Sequence, residues 1–367
     1  MQMAHGGDID QIERLYGIPK EEIINFSGNV NPLGVPPAVT EAVAESAKHL
    51  SRYPDSGYVL LRESIGAYAR VSADSVIVGN GATELISLYI NTIGAEDRKR
   101  AVIISPAYSE YKRAADKAGI ESLLFRLREE DGFELDECGL METLDETVGT
   151  LIVCNPNNPT GAAITNGTME RILKRCAVLG AGVMADETYA EFTPEGVSSA
   201  GFVEKHKNLF VVRGTSKFFA APGLRLGYGL CGNSGTLAAM NAKKDPWSVS
   251  VMAEAAGAVM FSDAEYIART KRLIVSERER MAAELKTWPW VKVYDSRANF
   301  ILVRLQENCG TTSSEIFDKM IQKRLLIRDC RGFSYLDERF IRFCVMKPEE
   351  NELLLKNLRQ ILGEAHL

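Results

Sequence analysis

Short apolar runs, each closed by turn residues, recur through most of this chain, and they limit its fold more than any other feature. They are VIVGNG after Ser75, AVIISP from Ala101, LIVCNP from Leu151, GVMADE from Gly182, LFVVRG from Leu209 and LGYGLC from Leu226. Runs this short, apolar throughout rather than alternating, fit strands buried on both faces. Between most of them lie longer stretches with helical spacing, such as TELISLYINTI from Thr83 and MERILKRCAVL from Met169. Strands alternating with helices predict an α/β fold with a mostly parallel central sheet between helices. A chain of 367 residues, 46% of them hydrophobic, has enough apolar material for such a core and a second, smaller one.

The pattern changes after Met252. A charged amphipathic stretch runs from Ala264 to Lys286 and stops at Trp288-Pro289-Trp290. Strand-like NFILVRL from Asn299, a helix from Ser314 and strand-like FIRFCV from Phe340 follow. A last helix opens at Pro348 with Glu349 and Glu350 in its first turn, and Leu353, Leu354, Leu358 and Ile361 read as its apolar face. The expected organisation is an arm over 1–28, a large domain over 29–252 and a smaller α+β domain over 253–367. Asn29–Pro37 reads as irregular.

Charge and composition exclude several classes. A net charge of −6 offers no basic excess for a nucleic-acid partner. The RKR run at 98–100 reads as a solvated helix end. Seven scattered cysteines without a CxxC pair fit reduced thiols, and four histidines without ligand spacing predict no metal. The N-terminal stretch lacks the apolar core of a signal peptide, and no run approaches the ~20 apolar residues that span a bilayer. The expectation is a soluble, cytoplasmic protein.

Six local features bear chemistry, and each also has an ordinary reading. Lys217, in SKFFAAPGLRLGY, follows a strand and precedes a Pro-Gly loop. Desolvation there would lower its pKa and free its amine as a nucleophile, although most lysines are surface residues. Asp186 in GVMADETYAEF lies past a strand end, where open α/β sheets bind ligands. It could keep a pyridine nitrogen protonated, with Tyr189 donating to a phenolate oxygen; a helix cap and a core tyrosine are the plainer uses. CNPNNPTG, from Cys154 to Gly161, offers the Asn158 amide to the same oxygen, or is an Asn-Pro turn.

GNGATE, from Gly79 to Glu84, places the backbone N–H groups of Gly81, Ala82 and Thr83 at a helix start, where a phosphate would bind. Glu84 stands where a dinucleotide fingerprint has its third glycine, so a single phosphate fits better than a nicotinamide cofactor. Arg225 could pair with that phosphate and Ser216 add a hydroxyl, or Arg225 could serve a structural salt bridge. Arg342, among apolar residues in FIRFCV, needs an anionic partner: a substrate carboxylate or a structural Asp or Glu. Together these supply what a pyridoxal-phosphate (PLP) site requires.

CNPNNPTG, ADETYAEF and SKFFAAPGLRLGY, in this order and at these separations, resemble the class I/II aminotransferase family, the fold type I PLP-dependent enzymes. The resemblance covers nearly the whole chain. It implies that Lys217 carries the cofactor as an imine, Asp186 pairs with the ring nitrogen, and Asn158 and Tyr189 contact the ring oxygen. It implies that Tyr108, in SPAYSEY, stacks on the ring, and that Gly81, Ala82, Thr83, Ser216 and Arg225 hold the phosphate. Arg342 would take the substrate carboxylate. Tyr53, in SRYPDSGY, would reach the phosphate of a neighbouring subunit, which implies a homodimer. Two subgroups look closest. Histidinol-phosphate aminotransferases share RYPD. Threonine-phosphate decarboxylases share more: His5-Gly6-Gly7, FSGNVNPLG with Asn29, LIRDC with Arg328 and FIRF with Arg342. By that likeness His5, Asn29, Arg328 and Arg342 meet the substrate. Gly214 stands where these subgroups usually have Ser or Thr, so one hydroxyl to the phosphate is missing unless Thr215 or water replaces it; Asp8 replaces the Asn that often follows HGG.

The substrate is then a small, phosphorylated amino acid or amine. A threonine-phosphate decarboxylase-like reaction is the first reading. Transamination in the manner of histidinol-phosphate aminotransferase, with 2-oxoglutarate as acceptor, is the second. Lys217 is the natural base if the Cα proton leaves; carbon dioxide leaves if the carboxylate stands out of the ring plane. A non-catalytic PLP-fold sensor is a remote third, since no DNA-binding segment precedes the fold.

Overall fold

The computed structural model of the chain describes residues 8–93, 100–193 and 196–364. Helix α1 (Ile9–Tyr16) and strand β1 (Ile24–Asn25) lead to α2 (Pro37–Ser46) and α3 (Val59–Ala69). Next come β2 (Val76–Asn80), α4 (Ala82–Ile93), β3 (Arg100–Ser105), α5 (Ser109–Lys117), β4 (Ser122–Arg126) and α6 (Glu137–Thr143). They are followed by β5 (Val148–Cys154), α7 (Asn166–Val178), β6 (Gly182–Asp186), β7 (Leu209–Gly214), β8 (Leu226–Leu230) and α8 (Ser234–Lys243). The remainder is α9 (Val251–Met260), α10 (Ala264–Leu285), β9 (Val291–Val293), β10 (Phe300–Leu305), α11 (Ser313–Gln322), β11 (Leu325–Leu326), β12 (Arg328–Asp329), β13 (Phe340–Cys344) and α12 (Pro348–Glu364).

Seven strands form the central sheet in the order β2-β8-β7-β6-β5-β3-β4. β8 runs opposite to the other six strands. All seven residues of β5 are buried, as expected of a strand covered on both faces. Side chains alternate between two cores. Val102, Leu151, Val153, Val183 and Val211 face one, with α7 and α9. Ile103, Ile152, Met184 and Phe210 face the other, with α4, α5 and α8. Each such buried aliphatic side chain contributes about 1.5–3 kcal/mol. The expected α/β fold with a mostly parallel sheet between helices is therefore observed.

A second, antiparallel sheet has the order β12-β13-β10-β9. The expected break at 252/253 falls inside α9. That helix packs on α2 and α3, so it continues the large unit, and the small sheet begins only after α10. β1, in the expected arm, pairs in parallel with β11 of the small unit. Pro37 belongs to α2, as its first residue. In α12, Leu354, Leu358 and Ile361 are buried as expected, but Leu353 is 41% exposed. Leu355 and Leu362 complete the stripe instead, because one residue back from 354 turns the side chain out of a face recurring every three or four positions. Arg100, the last residue of the RKR run, opens β3 rather than ending a helix; 98 and 99 lie outside the described residues.

Candidate active site

Parallel strands present their C-terminal ends along one edge, and open α/β sheets bind ligands there. Cys154, Asp186 and Gly214 are the last residues of β5, β6 and β7. Beside them a cleft of about 550 Å³ opens. The first residues of α4 enter it from the large unit, and β12 and β13 close it from the small one. The segment from Ser27 to Asn29 forms a further wall. This segment is tied down: Asn31 N–H donates to Lys217 O at 3.0 Å, and its side chain donates to Phe218 O at 2.7 Å.

Most residues expected at the site line this cleft. From the large unit come Ala82, Thr83, Tyr108, Asn158, Asp186 and Tyr189. Ser216, Lys217 and Arg225 come from the loop after β7. Asn29, Arg328 and Arg342 complete it. Gly81 corrects an expectation. It does not line the cleft, and its N–H donates to Gly79 O at 2.8 Å, so it is not aimed at an anion. Its φ of +82° starts the turn into α4, and an added Cβ would collide with the Arg225 guanidinium. The glycine thus lets Arg225 lie against the helix start. Tyr53 is 78% exposed and outside this chain's cleft; its ring lies 4.6 Å from that of Trp247. His5 lies outside the described residues.

Lys217 is half-buried, and Nζ donates to Gly28 O at 2.6 Å. Burial, then the nearby Arg342, push its amine down from 10.5 to about 8. Asp186 is 4% exposed. Its Oδ1 accepts from the Thr188 hydroxyl at 2.6 Å and the Thr188 N–H at 2.9 Å, and its Oδ2 accepts from the Tyr111 hydroxyl at 2.7 Å. Burial raises its carboxyl, opposed by those bonds. The next residue, Glu187, is paired with Arg213 at 2.7 Å. No cation among the described residues bonds to Asp186, so a cationic ring nitrogen would supply the missing counter-charge.

Arg342 is 4% exposed. It donates to Asn158 Oδ1 and, at 2.9 Å, to Ser27 O. Among the described residues no Asp or Glu pairs with it, so the ordinary reading of a structural ion pair does not hold. Its bond occupies the Asn158 carbonyl, leaving the Asn158 amide N–H₂ to donate. Arg328 sits directly across from Arg342 in the β12–β13 pair. The Phe333 ring receives both guanidinium groups, at 5.4 Å and 5.9 Å from its centroid. Asn29 donates to the Tyr189 hydroxyl at 3.1 Å. Arg225 donates to Pro222 O at 3.1 Å rather than to a structural carboxylate. Gly214 leaves room for a side chain, with Ala82 Cβ at an ordinary 3.5 Å from a Cβ built there. Thr215 does not replace the missing hydroxyl, because its own is buried and bonded to Leu226 O at 3.1 Å.

Sequence reasoning missed Tyr111, Thr188 and Phe333. The first two left signals: a second tyrosine one turn after Tyr108, and a threonine two residues after Asp186, where an Asx turn closes. Phe333 left none.

Residues 21–358 match the family described as aminotransferase class I and II. Threonine-phosphate decarboxylase of Salmonella typhimurium is 33% identical, over 98% of this chain and 96% of its own. The crystal structure of histidinol-phosphate aminotransferase from Clostridium acetobutylicum superposes with a TM-score of 0.86 at 32% identity, covering 92% of this chain and 99% of that one. L-threonine-O-3-phosphate decarboxylase from Porphyromonas gingivalis superposes with a TM-score of 0.80 at 26% identity, covering 93% and 100%. With this fold, this cleft at the strand ends and these likenesses, the chain belongs to the class I and II aminotransferase family, and it is a pyridoxal-phosphate-dependent enzyme of that family.

Proposed function

We propose that the protein acts on a small phosphorylated amino acid in the manner of a threonine-phosphate decarboxylase. The observation that carries this reading is the buried Arg342, bonded among the described residues to neutral oxygens alone, with Arg328 across from it in the same cleft. A buried cation without a counter-charge costs several kcal/mol, which an arriving anion offsets. Two guanidinium groups suit a substrate with two anionic groups, a carboxylate and a phosphate.

Pyridoxal phosphate, when bound, supplies an electron sink for the bond broken at the substrate Cα. The residues around the cleft suit it. Asp186 would hold a proton on the ring nitrogen, Asn158 and Tyr189 would donate to the ring oxygen, and Tyr108 would cover the ring face. The α4 start at Ala82 and Thr83, with Ser216 and Arg225, would hold the phosphate. The Lys217 amine, with its lowered pKa, is part uncharged near neutrality and serves as nucleophile and then as proton carrier. Arg342, held by Asn158 and Ser27, would fix the carboxylate and so decide which Cα bond is aligned to break. Arg328 and Asn29 would hold the rest of the substrate, and His5 would join them.

A homodimer completes the reading. Tyr53, like Leu50 and Leu60, is exposed, and it does not line its own cleft, which suits a role at the partner's phosphate. All seven cysteines are free, which suits a reducing, cytoplasmic setting. No helix among the described residues is long and apolar enough to cross a membrane.

Transamination is the second reading, favoured by the likeness to a histidinol-phosphate aminotransferase structure at 32% identity. Incubation with threonine phosphate and with histidinol phosphate, each with and without 2-oxoglutarate, separates the two. Carbon dioxide release without an acceptor is the expected result. Glutamate formation that depends on 2-oxoglutarate would replace it with the second reading.

A further inference from the structure

Tyr111, in the first turn of α5 and three residues after Tyr108, is 1% exposed and contributes to the cleft wall. That hydroxyl donates to Oδ2 of Asp186 at 2.7 Å. The other oxygen, Oδ1, already accepts two bonds from Thr188. A carboxylate oxygen has two lone pairs. Oδ1 is therefore saturated, and Oδ2 has one lone pair left for a ligand. Tyr111 occupies the other and so fixes which oxygen faces the cleft. Its ring meets Tyr108 edge-on, centroids 5.7 Å apart at 87°, so one side chain braces both the carboxylate and the neighbouring aromatic face. The Cys154 thiol, buried beside the same hydroxyl, is pushed up by burial and stays neutral.

We propose that Tyr111 is a positioning residue: through its bond to Asp186 it sets how firmly that carboxylate keeps a proton on the cofactor's ring nitrogen. This rests on the reading of the cleft as a pyridoxal-phosphate site with Asp186 at the ring nitrogen. A donor on a carboxylate makes it a weaker base. With Tyr111 in place, the shared proton stays on the ring side and the ring remains an electron acceptor. Without it, Asp186 draws the proton towards itself. The less cationic ring then withdraws fewer electrons, and the nitrogen joining Lys217 to the cofactor keeps its own proton to higher pH.

The test is a pH titration of the long-wavelength cofactor absorbance in reconstituted holoenzyme. Tyr111→Phe keeps the packed ring and removes only the hydroxyl. Its midpoint is expected to rise by about one pH unit, the scale of one hydrogen bond to a charge. Site-specific 3-fluorotyrosine at position 111 keeps the hydroxyl, makes it a stronger donor, and is expected to lower the midpoint. In an Asp186→Ala background at saturating cofactor, Tyr111→Phe is expected to add no further shift. An unmoved midpoint in either Tyr111 variant overturns the proposal, as does a shift that persists without Asp186, which would mark a merely structural role. If the unaltered protein takes up no cofactor that borohydride can fix to Lys217, the reading of the cleft fails, and this proposal with it.

Discussion

Burial and the neighbouring Arg342 push the Lys217 amine down to about 8, so its charge changes within the working pH range. The apoprotein is expected to condense with pyridoxal phosphate faster as pH rises to about 8 and to level off above it, as followed by absorbance in a stopped-flow mixer. The same shift has a consequence for stability. Between about 8 and the ordinary 10.5, the unfolded chain holds a proton that the folded one has released, so stability rises with pH across that window. Lys217→Met is expected to raise the melting temperature of the apoprotein at pH 7, with the advantage shrinking above pH 8. Equal melting curves at both values would contradict the burial argument. Arg342 invites a second substitution. Arg342→Lys keeps the charge but loses the planar fork that meets Asn158 and Ser27. An increase in KM of about 10- to 100-fold for the phosphorylated substrate is expected, the scale of one charge-assisted bond. Cofactor affinity, touched only through Asn158, should fall much less, and steady-state kinetics with a cofactor titration checks both.

At the scale of elements, the site depends on how closely β8 approaches the start of α4. A Cβ at Gly227 would collide with the backbone nitrogen of Ala82 and the carbonyl carbon of Gly81. Both neighbours are backbone, so neither can turn aside. Gly227→Ala is expected to force strand and helix apart, to cost roughly 1–3 kcal/mol by overpacking, and to weaken cofactor binding along with it. Denaturant unfolding and a cofactor titration on the same protein test the pairing of the two effects. The small sheet shows a second element-scale dependence. β12 has only two residues, yet it places Arg328 opposite Arg342. A strand so short has no period to read, and LIRDC carries no pattern that sets it apart from a loop.

Over the whole molecule, the proposed homodimer would give a role to exposed Tyr53, whose ring lies tilted against that of Trp247. Mixing a Tyr53→Ala subunit with a Lys217→Ala subunit, each inactive or nearly so alone, is expected to restore activity after refolding together. One of the two sites in the hybrid then has both residues intact; no recovery in a hybrid shown to have formed would remove Tyr53 from the partner's site. The order and class of the elements, and the chemistry at the strand ends, were legible in the residues alone. Burial on both faces shows as apolar runs in β3, β5, β6 and β7; Asp186 closes one of those strands and Lys217 lies three residues past the end of another. Such signals are local, carried by residues within one strand or turn. Which distant groups meet came from folding: Arg342 with Asn158, 184 positions away, and Tyr111 with Asp186, 75 positions away. It alone withdrew Gly81 from the anion site and Leu353 from the core. Those contacts depend on the path of the chain and on who occupies each lone pair, and no period in the sequence records either.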